Sequence, residues 1–349
     1  MGLYTRLVRP VLYRLDPETA HELTLWLLAW AQGVLPGRVV LRGIAGRVPK
    51  RPFSLWGLTF PNVLGVAAGF DKDVRVAAGL AMLGFGHVEV GTLTPRPQAG
   101  NPRPRIFRLP SDEALINRMG FPNVGVESAV SRLARLAQSP RQFVLGVSLG
   151  KQKETPLADA VQDYLAVMAG VYAYADYLAV NISSPNTPGL RALQGATYLA
   201  ELLQTLVTER DRLATETGKG KRPLLVKIAP DLTWPELDQI LDILEQAGID
   251  GIVATNTTTS RYQLVHPNAQ EQGGLSGRPL ATRANEIIAY IYQQTNGRLP
   301  IIGVGGVHTA DDARRKLDAG ASLVQLYTGL VYEGPGIAGR ILRQLYPND

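Results

Sequence analysis

Short apolar runs alternate with longer amphipathic stretches along most of this chain, from about residue 61 onward. Eight runs have the length and composition of buried strands: 63–67, 87–90, 143–147, 177–180, 224–228, 251–254, 301–304 and 323–326. Helical patterns separate most of them, at 73–83, 198–213, 235–247, 283–293 and 310–319. This alternation is typical of parallel strands with right-handed crossovers, so we predict an α/β fold, a closed (β/α)8 TIM barrel. Residues 54–60, with Gly57 in the middle, predict a hairpin at the bottom of the barrel.

The first forty residues follow a different pattern. Apolar residues recur there at helical spacing with arginines between them: Leu7, Val8, Val11, Leu12 and Leu15, with Arg6, Arg9 and Arg14. Asp16 and Pro17 predict the N-cap and first residue of a second helix, which Pro36-Gly37 would end. We interpret residues 1–40 as a small N-terminal helical extension and residues 41–349 as the barrel domain. The extension either lies in a membrane interface or simply caps the barrel.

Composition and charge remove several kinds of chemistry. The 349 residues are 45% hydrophobic and 19% charged, with a formal net charge of +6. Excess positive charge favours anionic partners, but the chain has no long Lys/Arg run and no nucleic-acid-binding signature, so phospholipid or an acidic metabolite fits better. The absence of cysteine excludes disulfides, thiolate catalysis and cysteine-ligated metals. The four histidines are too scattered to suggest a metal site.

Targeting signals are equally sparse. No run approaches the roughly 20 apolar residues that span a bilayer. The N-terminus lacks a signal-peptide cleavage pattern, and Arg6 breaks the myristoylation pattern that Met1-Gly2 begins. We therefore expect synthesis in the cytoplasm and, on the membrane interpretation of the extension, a peripheral location on the cytoplasmic side of the cell inner membrane or plasma membrane.

Polar and glycine-rich segments follow the predicted strands at the ends where such barrels gather their active sites. The richest is 181–191, Asn-Ile-Ser-Ser-Pro-Asn-Thr-Pro-Gly-Leu-Arg, which two prolines stiffen. Alone it is equally consistent with a plain turn, because these residue types are turn formers. Other polar segments lie at 69–72, 92, 227, 255–257, 303–306 and 327–328. The convergence of many distant segments predicts one active-site mouth.

Glycines after the last two strands indicate a phosphate site. Gly303-Val304-Gly305-Gly306 follows the seventh strand and Thr328-Gly329 the eighth, and glycines let backbone N–H groups approach a phosphate closely. The spacing is not the G-x-G-x-x-G of dinucleotide binders, so a single phosphate, as in FMN, fits better than NAD. Lys227, next to the end of an apolar strand, is either a cation beside a flavin or a lysine that reaches solvent.

Together these segments resemble the dihydroorotate dehydrogenase family, in its membrane-associated, quinone-dependent class 2. The matching motifs lie at 67–72, 117–121, 181–191, 227, 255–257 and 274–279, within a resemblance that runs from about Tyr4 to the C-terminus. The resemblance implies oxidation of dihydroorotate to orotate, with hydride transfer to FMN and then electrons to a membrane quinone, in pyrimidine biosynthesis. It implies FMN contacts at Ala68, Gly69, Lys72, Thr92, Ser148, Asn181, Lys227, Thr255, Gly277, Gly306, Tyr327 and Thr328.

The resemblance also implies substrate, catalytic and quinone residues. Amide side chains match the amide-like edges of dihydroorotate and orotate, and Lys72 would pair with the carboxylate. The implied substrate contacts are Lys72, Asn117, Arg118, Met119, Gly120, Phe121, Asn181, Asn186, Asn256 and Thr257. Ser184 is the implied catalytic base, which as a poor base needs a water or hydroxyl relay. The implied quinone contacts are His21, Arg108 and Tyr327.

Three other interpretations are weighed against this one. Residues 146–150 match the G-x-S-x-G nucleophile elbow of hydrolases, but no helix follows the serine directly. That serine, Ser148, stands where the family usually has an asparagine that contacts the flavin, so its hydroxyl would act through water. The second alternative is a soluble flavin enzyme that reduces fumarate or a partner subunit. The third is an inactive scaffold that binds flavin or membrane. The amphipathic extension and Ser184 argue against the soluble enzyme, and the intact set of Ser184, Lys72 and four asparagines argues against the scaffold.

Overall fold

Eight parallel strands close into a barrel, as the alternating pattern predicts. A computed structural model describes residue 2 and residues 4–347; Met1, Leu3, Asn348 and Asp349, at the ends of the two predicted domains, lie outside the described residues. The strands in chain order are β1 Phe53–Leu55, β2 Leu58–Phe60, β3 Leu64–Val66, β4 His87–Leu93, β5 Ile106–Leu109, β6 Ala114–Asn117, β7 Val144–Leu149, β8 Tyr177–Asn181, β9 Leu224–Ile228, β10 Gly251–Ala254, β11 Gly274–Gly277, β12 Ile301–Val304 and β13 Leu323–Leu326. Eight of these strands form the barrel, in the order β10, β12, β13, β3, β4, β7, β8, β9.

Helices cover the outside of the barrel. They are α1 Arg9–Leu12, α2 Pro17–Gly33, α3 Leu35–Ala45, α4 Ala77–Met82, α5 Gly125–Leu136, α6 Ala160–Val171, α7 Ala196–Thr217, α8 Trp234–Gln246, α9 Ala281–Gln294, α10 Ala310–Asp318, α11 Thr328–Glu333 and α12 Ile337–Leu345. A π-helical turn spans Tyr4–Val8, and 3-10 turns span Pro110–Asp112, Leu157–Asp159, Leu190–Gln194, Pro267–Gln270 and Arg278–Leu280. Their inner faces bury apolar side chains against the outer faces of the predominantly apolar barrel strands.

The predicted hairpin closes the bottom of the barrel. β1 pairs antiparallel with β2, and Phe60 is fully buried with its ring 5.5 Å from that of His87. Trp56 donates its indole N–H to the carbonyl of Asp250, 2.7 Å away, just before β10 begins. Because these contacts lie at the amino ends of the strands, solvent reaches the barrel from the opposite end.

A second, antiparallel sheet of three strands was not predicted. β6 lies between β5 and β11 and pairs antiparallel with both. Residues at the ends of β6 and β11 line the cavity described below. The sheet therefore forms a wall of the barrel mouth.

The N-terminal helices differ from the prediction in one respect. The side chain of Asp16 caps α2 as expected, accepting from the backbone N–H of Glu18 at 3.0 Å. The prediction that Pro36-Gly37 ends the second helix is wrong. α2 already ends at Gly33, and α3 begins at Leu35 with Pro36 in its first turn. Proline is tolerated there because a first-turn N–H has no helical partner.

The two longest N-terminal helices meet at an angle. α2 and α3 are bent by 113° at the break between them, and α3 continues past residue 40 to Ala45. Within residues 4–347 no single helix is long and apolar enough to cross a membrane, although this bent pair passes the same test of length and composition.

Candidate active site

A cavity opens at the carboxyl ends of the barrel strands. The predicted site residues that line it are Ala68, Gly69, Lys72, Thr92, Asn117, Met119, Gly120, Phe121, Asn181, Ser184, Asn186, Lys227, Thr255, Asn256, Thr257, Gly277, Gly306, Tyr327 and Thr328. Loops after strands far apart in sequence thus contribute to one chamber. The predicted residues that do not line it are His21, Arg108, Arg118 and Ser148.

One corner of the cavity is built from backbone. Gly305 and Gly306 have φ of +111° and +74°, which favours glycine. A Cβ at Gly306 would lie 2.4 Å from the Cβ of Ala281, and a Cβ at Gly277 would lie 2.4 Å from a backbone oxygen. The hydroxyl of Thr328 lies 2.8 Å from that of Ser276 at the same corner. Bare N–H groups and hydroxyls fit a phosphate group.

Lys227 brings a buried positive charge to the centre of the barrel. Its Nζ lies 3.9 Å from Oε1 of Glu89, and both side chains are buried. Desolvation lowers the pKa of Lys227, and the charge of Glu89 partly offsets that effect. The other oxygen of Glu89 accepts from the hydroxyl of Tyr177 at 3.0 Å and from Gln325 at 3.1 Å. A cation held this way suits a flavin edge that gathers negative charge on reduction.

Glu89 was missed by the sequence prediction. It lies in β4, a strand whose seven residues are all buried. A carboxylate inside an apolar run is a signal that it faces a polar partner, because charges are rarely buried unpaired. The pairing with Lys227 is visible only when β4 and β9 are placed in one barrel.

Asn181 organises the floor of the cavity. Its Nδ2 donates to the hydroxyl of Thr92 at 2.9 Å, and its Oδ1 accepts from the hydroxyl of Ser183 at 3.2 Å. The hydroxyl of Thr92 is also 2.9 Å from that of Ser148. Ser148 lies in β7 and is fully buried, behind Thr92. That position contradicts the hydrolase alternative, which needs the serine at an exposed strand-to-helix turn.

Asparagine amides line the side of the cavity nearest the 181–191 loop. Asn186 donates to Oδ1 of Asn117 at 3.2 Å, and Asn256 donates to the hydroxyl of Ser183 at 3.0 Å. Lys72 donates to the carbonyl of Gly69 at 2.7 Å, and desolvation lowers the pKa of Lys72. Donors and acceptors are therefore both present on this side, as recognition of a ring with amide-like edges requires.

Ser184 lies at the start of the same loop. Its side chain is buried, and its hydroxyl oxygen accepts from the backbone N–H of Asn186 at 3.2 Å. Thr187, which the sequence prediction missed, has a buried hydroxyl without a hydrogen-bond partner among the described residues. The signal that could have identified Thr187 in the sequence is its position three residues after Ser184 in a loop stiffened by prolines.

An aromatic path joins the N-terminal helices to the cavity. The ring of His21, on α2, lies edge-on to Phe70 at 5.1 Å, and Phe70 packs against Tyr327 at 5.7 Å. Tyr327 lines the cavity. Desolvation lowers the pKa of His21 to about 3, so its imidazole is neutral at physiological pH.

The two remaining predicted residues face other partners. Arg108 lies 4.6 Å from the ring centre of Tyr13 and donates to the carbonyl of Leu15 at 2.8 Å. Arg108 therefore ties the N-terminal segment to β5. Arg118 forms an ion pair with Glu271 at 2.7 Å, outside the cavity.

The outer surface of the N-terminal helices exposes many apolar side chains, with charged residues such as Arg6 and Arg38 among them. Its side chains include Leu7, Val8, Val11, Leu15, Leu23, Trp26, Leu27, Trp30, Leu35, Val39, Val40 and Ile44, each more than a third exposed. Exposed apolar patches of this kind mark contact with protein or membrane.

Comparison with known proteins gives a consistent result. The family model for dihydroorotate dehydrogenase matches residues 52–347. The dihydroorotate dehydrogenase (quinone) of Chloroflexus aurantiacus is 51% identical over 348 residues, which cover 97% of this chain and 94% of that protein. The protein of the same name from Synechococcus sp. (strain JA-3-3Ab) is 49% identical over 360 residues, with 99% and 93% covered.

Solved structures agree with the curated relatives. The chain is similar to a ligand-free DHODH from Eimeria tenella, with a TM-score of 0.86, 40% identity, and 95% of this chain and 94% of that one covered. The same enzyme in complex with ferulenol gives a TM-score of 0.85 at 39% identity, with 97% and 94% covered. Both coverages extend beyond the family model, which begins only after α3.

Proposed function

The chain belongs to the dihydroorotate dehydrogenase family as an oxidoreductase of its quinone-dependent type, and we propose that it oxidises dihydroorotate to orotate in pyrimidine biosynthesis, with FMN and then a membrane quinone as electron acceptors. The observation that carries the proposal is the convergence on one cavity of a backbone-lined corner, buried Lys227 and four asparagines beside Ser184. Each of these parts matches one feature of the two ligands: a phosphate, a flavin edge and a planar ring.

FMN would be held by groups at the ends of six strands, β4, β8, β9, β11, β12 and β13. When bound, it supplies the hydride acceptor that no side chain can supply. The glycine corner and Thr328 would bind the phosphate, and Lys227 would lie beside the edge of the flavin where charge gathers. Thr92 and Asn181, fixed by their mutual hydrogen bond, would fix the position of the flavin on the cavity floor.

Dihydroorotate would bind between that floor and the 181–191 loop. Asn117, Asn186, Asn256 and Thr257 would exchange their mutual contacts for the ring edges, and Lys72 would bind the carboxylate. Ser184 would take the proton from the ring carbon. The hydroxyl of Thr187, which is buried and has no hydrogen-bond partner within the part of the chain that the structure describes, fits the relay that a serine base needs.

The N-terminal helices would give the quinone access from a membrane. Their exposed Leu, Val and Trp side chains form the apolar surface that an interfacial helix buries among lipids. The rings of His21, Phe70 and Tyr327, in edge-to-face contact, lead from α2 to the cavity. We therefore propose a peripheral location on the cytoplasmic side of the inner or plasma membrane, with residues 1–40 and the rest of α3 as the attachment segment.

An anaerobic mixing experiment tests the proposal. The purified protein should show a flavin absorption spectrum that dihydroorotate bleaches and a quinone, but not fumarate, restores. Ser184→Ala should keep FMN but slow the bleaching at least about a hundredfold, a typical general-base effect. Ser131→Ala, an exposed serine on α5, is the matched control and should bleach normally.

Three results would count against parts of this proposal. Wild-type protein whose flavin is not bleached by dihydroorotate would reject the reaction. Unchanged bleaching by Ser184→Ala would reject Ser184 as the base. Faster reoxidation by fumarate than by quinone would favour the soluble type of flavin enzyme.

A further inference from the structure

Resting on the proposed function, we propose that Arg191 is a positioning residue that holds Ser184 in place by joining three neighbouring loops of the barrel mouth. Arg191 does not line the cavity, so it contacts neither proposed ligand. It lies behind the loop that carries Ser184, on the side away from the cavity.

All three nitrogens of the Arg191 guanidinium are engaged. Nε donates to the carbonyl of Ser183 at 3.1 Å, and Nη2 donates to the carbonyl of Thr257 at 3.1 Å. Nη1 donates to the carboxylate of Asp231 at 2.8 Å. Asp231, Thr257 and Ser183 follow β9, β10 and β8, which are adjacent in the barrel. One side chain therefore fixes the spacing of three strand ends.

The partners of Arg191 are themselves fixed. Asp231 also accepts from the hydroxyl of Thr258 and from the backbone N–H of Thr259, the latter at 3.1 Å. Three residues beyond Arg191, the side chain of Gln194 accepts from the backbone N–H of Ala229 at 3.1 Å. The 3-10 turn that carries Arg191 is thus attached at two points to the loop after β9.

The hydrogen bond from Arg191 to Ser183 also restrains Ser184. The carbonyl that Arg191 binds belongs to the peptide bond between Ser183 and Ser184. On the cavity side, Oδ1 of Asn181 accepts from both the N–H and the hydroxyl of Ser183, at 3.3 and 3.2 Å. Ser183 is therefore held from both sides, and the peptide plane cannot rotate without losing one of these bonds.

Arginine is suited to this task for geometric reasons. Its planar fork can address three acceptors at once, whereas lysine offers a single charged point. Gly189, at φ +69°, reverses the chain just before Arg191, so that the side chain folds back over its own loop. A misplacement of about 1 Å at a reacting group lowers rates by roughly a hundredfold, and that is the effect expected when the fork is lost.

Rapid-mixing kinetics on FMN-loaded variants test the positioning role. Arg191→Ala should bind FMN normally, reduce it with dihydroorotate about a hundredfold more slowly, and regain part of the rate when guanidinium ion is added. Arg191→Lys should fold normally and lose at least about tenfold, because one ammonium cannot replace the fork. Arg212→Ala, which removes exposed ion pairs with Glu209 and Glu216 on α7, is the control and should leave the rate unchanged.

A double-mutant cycle separates positioning from general stability. If Arg191 acts through Ser184, then Arg191→Ala should slow flavin reduction little further in the Ser184→Ala background. Multiplicative losses in the double variant, or full activity of Arg191→Lys and Arg191→Ala, would overturn the inference.

Hydrogen exchange gives a readout that does not depend on the chemistry. In the protein without substrate, Arg191→Ala should speed exchange at the amides of residues 183–186, and Arg212→Ala should not. Unchanged exchange there would overturn the inference even if dihydroorotate is the substrate. Failure of dihydroorotate to bleach wild-type flavin, with faster exchange in Arg191→Ala, would instead reject the proposed function and keep the loop-holding role.

Discussion

The barrel mouth and the N-terminal helices depart from the usual distribution of polarity in opposite directions. In the mouth, polar side chains such as Asn181, Ser184 and Lys227 are buried. On the N-terminal helices, apolar side chains such as Trp26 and Trp30 are more than half exposed, at 58% and 59%. Buried polar groups need partners, and exposed apolar patches need cover. This difference underlies the proposal that the protein binds a small polar ligand in the mouth and an apolar partner on the N-terminal surface.

The two regions are also assembled differently. The mouth draws its residues from loops after strands spread over most of the chain, whereas the apolar surface comes from one continuous segment, Tyr4–Val8 and the helices up to Ala45. Ion pairs of Glu18 with Arg105 and Arg103 attach that segment to the barrel. The mouth is therefore assembled from many segments and the exposed surface from one. Although Leu25, Leu28 and Leu41 of α2 and α3 pack in the same core as the barrel strands, changes to the exposed side chains should have effects separable from those of changes in the mouth.

The largest effect should follow loss of the buried charge in the mouth. Lys227→Met leaves Glu89 buried without its opposite charge, which typically costs about 3–5 kcal/mol when one partner of a buried pair is removed. We also expect the purified variant to lack FMN. Urea unfolding and the visible spectrum measure the two effects.

A second buried lysine provides the control for Lys227. Lys316 is buried outside the cavity and donates to Asn285 at 2.9 Å. Lys316→Met should lose stability but keep its flavin. If Lys227→Met keeps FMN as tightly as Lys316→Met does, then Lys227 contributes no more to FMN binding than a buried lysine outside the cavity.

The next effect concerns the exposed apolar surface. Trp26→Ser with Trp30→Ser should weaken binding to phospholipid vesicles about a hundredfold, since burying each large apolar side chain contributes at least about 1.5 kcal/mol. Bleaching of the flavin by dihydroorotate should be unchanged, because neither tryptophan lines the cavity. Vesicle sedimentation and anaerobic mixing measure the two properties.

The matched control for the tryptophan pair lies elsewhere on the surface. Tyr262 and Val265 are exposed by 77% and 75% but lie on the loop after β10. Their replacement by serine should not change vesicle binding. Equal losses from both pairs would mean that the N-terminal surface has no particular affinity for lipid.

The attachment between the two regions should depend on pH. Burial opposes the charged form of Glu18, but the hydrogen bonds and positive charges of Arg105 and Arg103 together outweigh it and lower the pKa of Glu18. A lowered pKa in the folded state stabilises the protein above the unfolded value, about 4.5, and that stabilisation is lost as the pH falls through the folded pKa. Glu18→Gln should therefore cost about 2 kcal/mol at pH 7.

The difference between wild type and Glu18→Gln should shrink in acid. Denaturant unfolding at a series of pH values measures it, and Glu22→Gln is the control because Glu22 forms a more exposed pair with Arg75. A difference between wild type and Glu18→Gln that stays constant below pH 4 would show that the ion pair does not set the stability of the attachment.

The fold was largely predictable because each barrel strand is a short apolar run bounded by turn residues. The last four predicted barrel strands coincide with β9, β10, β12 and β13. Two kinds of element were missed for physical reasons. α3 begins at Leu35 and has Pro36 in its first turn, and proline is found at helix starts as well as at stops. β11, Gly-Leu-Ser-Gly, has little strand propensity of its own and is held by pairing with β6.

The candidate site was predictable only as far as polar residues follow strands. Asn181, Lys227 and Thr255 stand out because they end apolar runs. Glu89 and Arg191 do not, because their importance depends on contacts between segments distant in sequence. Such contacts leave no local pattern, so only the assembled barrel reveals them.

The smallest effect should come from the start of α2, where a helix cap in the N-terminal segment can be compared with a similar cap on a helix of the barrel. Asp16→Ala removes the cap of the helix that carries His21 and Trp26 and should cost about 1 kcal/mol. Thr309→Ala removes a comparable cap, whose hydroxyl accepts from the N–H of Asp312 at 3.2 Å on α10, and should cost about the same. Because only α2 leads to the proposed quinone path, we expect Asp16→Ala alone to raise the KM for quinone, with KM for dihydroorotate unchanged in both. Thermal unfolding and steady-state kinetics measure these outcomes, and a quinone KM that moves equally in the two variants would mean that the order of α2 does not govern access.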